Sequence, residues 1–102
     1  MSEADSPTAD FLSEAISTSG RTQREIAHRS GFTRANVISM MKHGEMKVPI
    51  ERIPDLADAC GVDPKEFARV AIAEYHPEIM NILRHIFGVD LGNDNKSLER
   101  SR

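Results

Sequence analysis

Eight polar side chains between Gln23 and Lys47 are the candidates for recognition chemistry in this chain: Gln23, Thr33, Arg34, Asn36, Ser39, Lys42, His43 and Lys47. An arginine offers a planar fork of donors, and an asparagine a donor beside an acceptor. Arg34 and Asn36 are therefore the two that can meet a flat polar edge with paired hydrogen bonds. Ser39 offers one hydroxyl and discriminates less. Lys42, His43 and Lys47 suit phosphate oxygens, which position a ligand without specifying its sequence. No other constellation competes. His28, His43, His76 and His85 are not at ligand spacing and no cysteine pair accompanies them, so no metal site is expected. No glycine-rich phosphate loop and no nucleophile with an adjacent base is present. Asp55 and Asp58 stand at i, i+3, as many exposed helical acids do. Neither an enzyme nor a cofactor is expected.

Helical elements must position these side chains. Thr22-x-x-Glu25 is a capping-box pattern and opens a helix whose core face is Ile26 and Ala27. Gly31 can take the positive φ of a sharp helix-to-helix turn. Phe32 follows as an apolar plug, and Thr33 is a plausible N-cap for the next helix. In that helix Val37, Ile38 and Met41 lie to one side, while Arg34, Asn36, Ser39, Lys42 and His43 fall largely elsewhere on its surface. Gly44 stops it. Two short helices about a tight turn, the second with a polar and partly basic outer face, have the shape and chemistry of a helix-turn-helix.

The flanking sequence supplies the support. Phe11, Leu12, Ala15 and Ile16 recur at helical spacing and predict a first helix from Asp10 to about Thr18. Glu45 to Pro49 reads as a loop. Leu56, Ala57 and Cys60 belong to a fourth helix ending at Gly61, with Pro54 in its first turn. Asp63-Pro64 opens a fifth, striped by Phe67, Val70, Ala71 and Tyr75 and broken at His76-Pro77. Ile79, Ile82, Leu83, Ile86 and Phe87 make a sixth, strongly amphipathic helix over 77–88. Cys60 reads as a small buried apolar residue, and Met40, Met41, Met46 and Met80 as packing residues. The domain is expected over 10–88, between a flexible tail at 1–9 and a disordered one at 89–102.

A chain of 102 residues with 39% hydrophobic residues suits one domain with an aliphatic core. No apolar run nears the roughly 20 residues that cross a bilayer. With no secretion signal and a single cysteine, a cytoplasmic location is expected and a membrane partner is not. The net charge is −3, but it is unevenly placed. Arg21 to Lys47 holds six basic residues and two acids, a local +4, and the remainder carries −7. A basic face on an acidic body is a local electrostatic footprint for a polyanion.

With these residues in view, the chain resembles the phage-repressor and Cro-like helix-turn-helix regulators, the XRE family, over about residues 10–75. Gln23, Ile26, Ala27, Gly31, Ile38, Ser39, Met41 and Gly44 match that family's run of Thr-Gln, Leu-Ala, Gly, Ile-Ser-x-Ile and closing Gly. Pro49, Leu56-Ala57 and Gly61-Val62-Asp63 resemble its fourth helix and the entry to its fifth. Ile38-Ser39 stands one residue farther from the glycine than is usual there. Either the turn carries an extra residue or Val37 takes the core position, a difference of about 100° in the outward face.

The resemblance implies an all-α, lambda-repressor-like bundle of five helices, here with an additional C-terminal amphipathic helix. It implies that the helix around 33–43 lies in the major groove of double-stranded DNA. There Arg34 would pair with guanine and Asn36 with adenine. Gln23 would grip a phosphate or brace a reading side chain, helped by the free N–H groups of its helix. A sequence-specific regulator, and more simply a repressor than an activator, follows. The apolar stripe of the sixth helix either pairs with a second copy, giving a homodimer, or closes the monomer's own core. The alternative function is an antitoxin or other protein-interaction module of the same fold, holding a toxin-like partner and at most autoregulating.

Overall fold

In the computed structural model, which describes residues 6–88, the chain begins with a cap. The Ser6 hydroxyl accepts the Ala9 N–H at 3.1 Å and Pro7 takes the first helical position, so α1 runs Pro7–Ser19. This is three residues earlier than Asp10. Apolar spacing locates the stripe of a helix but not its polar start. Thr8 and Ala9 are buried, so 7–9 are not tail. The remaining tail positions, 1–5 and 89–102, lie outside the described residues.

Five further helices follow: α2 Gln23–Arg29, α3 Ala35–Lys42, α4 Ile53–Cys60, α5 Pro64–Tyr75 and α6 Pro77–Phe87. A 3-10 turn at Ile50–Arg52 leads into α4. No strand occurs among the described residues, and the class is all-α. Helix α1 packs on α5, α2 on α3 and on α4, and α4 on α5. The core they enclose contains Leu12, Ile26, Ile38, Met41, Val48, Ile53, Leu56 and Phe67, with Ala15, Ala27, Ala57 and Ala71 where helices approach closely. The Phe11 ring lies 4.9 Å from that of Phe67. Glu74 of α5 reaches the start of α1 and accepts from the Thr8 N–H at 2.8 Å and the Ser6 hydroxyl at 3.1 Å. It supplies negative charge where the α1 dipole is positive.

Helix α6 packs mainly on α5. Met80 alone among its side chains is buried, and Leu83 is half-buried. Ile79 is 42% exposed, Ile82 51%, Ile86 69% and Phe87 64%. The stripe therefore does not close the monomer's core. Of the stripe only Leu83 is half-buried, and Met80 beside it is enclosed. No described helix is long and apolar enough to cross a membrane.

Candidate nucleic-acid interface

The α2–α3 pair is assembled by short-range chemistry. Thr22 Oγ1 accepts the Glu25 N–H at 3.1 Å and Glu25 Oε1 accepts the Thr22 N–H at 2.8 Å, completing the capping box. This box takes one of the N–H groups expected to assist Gln23 and stations a carboxylate beside the rest. Gln23, half-buried, is left with its own side-chain amide.

The turn is held from outside by a residue that the sequence reading passed over. Gly31 has φ +82°, and Arg52 from the 3-10 turn lies against it. Arg52 Nη1 donates to the Ser30 carbonyl at 3.0 Å, and its guanidinium sits 5.2 Å from the centroid of the Phe32 ring. The carbonyl at the end of α2, the glycine and the plug residue are thus tied to the start of α4. Only the tertiary fold brings Arg52, twenty-one positions downstream, to this turn, so no local sequence signal could have found it.

Helix α3 begins at Ala35 with Arg34 at the N-cap and no side-chain cap bond. Thr33, expected as the cap, is an exposed turn residue. Ile38 and Met41 are fully buried while Val37 is only partly so. Ile38 therefore holds the central core position, with Val37 packed partly beside it. The opposite line of α3 carries Asn36, Met40 and His43 at i, i+4 and i+7. Met40 is only partly exposed, yet it is not among the side chains packed on the core, unlike Met41 and Met46. Met41, not Met40, is in register with Ile38.

The site residues fall into two groups along α3. Arg34 and Asn36 are exposed at its first turn, and Arg34 Nε donates to Asn36 Oδ1 at 3.3 Å. Both terminal nitrogens of Arg34 stay free. At the other end His43 Nδ1 lies 2.8 Å from the Ser39 carbonyl oxygen. A carbonyl only accepts, so Nδ1 carries the proton and Nε2 of the neutral ring is an acceptor. Lys42 is half-buried at the same end.

Lys47 is not drawn into this group. Its ammonium stands 5.3 Å from the centre of the Tyr75 ring on α5, and the Tyr75 hydroxyl accepts the Val48 N–H at 3.0 Å. Arg21, counted in the basic cluster, donates to the Ala59 carbonyl near the end of α4. It also lies near Cys60, whose thiol burial pushes up and Arg21 draws partly back. Of the other basic residues in this stretch, Arg24, Arg29 and Arg34 are exposed and Lys42 is half-buried.

A second concavity, about 560 Å³ and open, runs along α1 beside α5 with Phe11, Ala15, Val62 and Val70 at its floor and Asp10 and Glu14 at its edge. It holds no group with reactive chemistry. Comparison of the chain with family models, with curated proteins and with solved structures finds no match.

Proposed function

We propose that this protein binds double-stranded DNA sequence-specifically and regulates transcription, acting as a repressor by occupying its site. In this reading α1–α5 form a lambda-repressor-like bundle, α2 and α3 are its helix-turn-helix, α3 enters the major groove, and α6 is an addition. The supporting observation is that Arg34 and Asn36 stand solvent-exposed at the first turn of α3, on a helix pinned from behind by Ile38 and Met41. Arg34 pairs with guanine, Asn36 with adenine, and Lys42 with phosphate.

Selection of bound sequences from random duplex DNA tests this directly. A shared motif with salt-dependent affinity is the expected result, and recovery of unenriched sequence overturns it. Within that assay Lys42→Ala lowers affinity about equally on every duplex and reduces the slope of log K against log salt by about 1. An unchanged slope takes Lys42 off the phosphate list.

The exposed face of α6 supports a homodimer. Ile79, Ile82 and Ile86 form a row of large apolar side chains, which small proteins seldom leave in water without a partner. Pairing two copies sets two reading helices about 34 Å apart, one turn of DNA, and selects a near-palindromic site. Ile82→Asp is expected to give a monomer by sedimentation at concentrations where the parent is a dimer, with folding retained because Ile82 lies outside the core. Parent protein that sediments as a monomer at high micromolar concentration, with and without DNA, removes the dimer. A toxin-like protein partner on the same face is the second reading, and a protein with no salt-dependent DNA affinity would favour it.

A further inference from the structure

In the eight-residue α3, Ile38 and Met41 are enclosed at 0% exposure, with Ala35 and Val37 packed partly beside them. Met40 therefore sits on the outward line, with Asn36 one turn before it and His43 one turn after. It is an apolar, flexible and polarisable group set among polar ones, at the middle of the surface proposed to face DNA. The polar edges that base pairs turn to the major groove contain one apolar feature, the 5-methyl group of thymine.

We propose that Met40 is a specificity-determining residue that packs on a thymine methyl group. This rests on the reading that α3 lies in the major groove, and it adds a base preference that neither Arg34 nor Asn36 supplies. Four residues of helix advance about 6 Å, or roughly two base steps of 3.4 Å. The thymine thus lies about two base pairs from the adenine paired with Asn36. Burying a methyl-sized group is worth about 0.8 kcal/mol, or roughly a fourfold change in affinity.

Deoxyuridine provides the test, because it removes the methyl group and leaves every hydrogen-bonding atom of thymine in place. Each thymine of the selected duplex is replaced in turn, and affinity is measured for the parent protein and for Met40→Ala. One position is expected to lose about fourfold with the parent and nothing with the variant. Met40→Ala is expected to melt like the parent, since Met40 is outside the core. An equal uracil penalty in parent and variant assigns the methyl contact to another residue and overturns the proposal, as does a selected site with no uracil-sensitive position. A selection that yields no preferred site overturns the DNA reading itself, and so is told apart from a failure of Met40 alone.

Discussion

Arg34→Ala is expected to lower affinity for the selected site by about 5- to 100-fold, the range of one bidentate base contact, while changing affinity for unrelated DNA far less. The asymmetry follows from the two kinds of contact. Phosphates are the same on every duplex, so a residue that only adds charge lowers both affinities together. Arg34 spends its Nε on Asn36 Oδ1 and keeps both terminal nitrogens for a planar pair of acceptors such as guanine O6 and N7. It is exposed and forms no ion pair among the described residues, so its removal is expected to shift stability by no more than about 0.5 kcal/mol. Because Arg34 and Asn36 touch, the double variant with Asn36→Ala should lose less than the product of the two single losses. Competition binding on selected and scrambled duplexes reads all of this. Equal losses on both would show that Arg34 is not a base reader.

Gly31→Ala is expected to cost about 2–4 kcal/mol of stability. A side chain at φ +82° is strained by about 1–2 kcal/mol. The new Cβ would also meet Arg52 Nη1 at 2.6 Å, so the guanidinium must move. Moving it forfeits the hydrogen bond to the Ser30 carbonyl, about 1 kcal/mol, and the contact with Phe32, about 0.5–1 kcal/mol. For a domain of this size the melting temperature should fall by roughly 10–20 °C. Arg52→Ala alone forfeits the contacts without the strain and should cost about half as much. In the double variant the clash is gone, so its loss should be smaller than the two single losses combined. Strict additivity in thermal melts would show that the collision does not contribute. Since the turn sets the direction of α3, both single variants should also bind DNA less tightly than their folded fraction predicts.

The parts legible in the sequence are those whose causes are local. Thr22 and Glu25 lie one helical turn apart and cap each other whatever the rest of the chain does. Gly31 adopts a conformation that other residues resist, and Asp63-Pro64 starts a helix by itself. Spacing also identified Leu12, Ile26, Met41 and Phe67 as inward-facing. The parts that escaped are set by distant residues or by crowding. Arg52 reaches the turn and Arg21 the end of α4 only once the bundle closes. Val37 and Ile38 both touch the core, and which of them is fully enclosed depends on how the other helices close around α3. An apolar stripe in α6 says that something apolar can cover it, not whether the rest of the chain does so. At the front of α1, a stripe count begins at Phe11 although Ser6 and Pro7 already fix the start.

The bond from Glu74 to the front of α1 has a practical corollary. Ser6 is fastened two residues ahead of His76, where the chain swings into the sixth helix. A dye or fusion partner attached upstream therefore joins the body at the root of α6, the helix proposed to pair with a second copy. A bulky tag there should crowd copy-to-copy contact, whereas a small fluorophore should report on it.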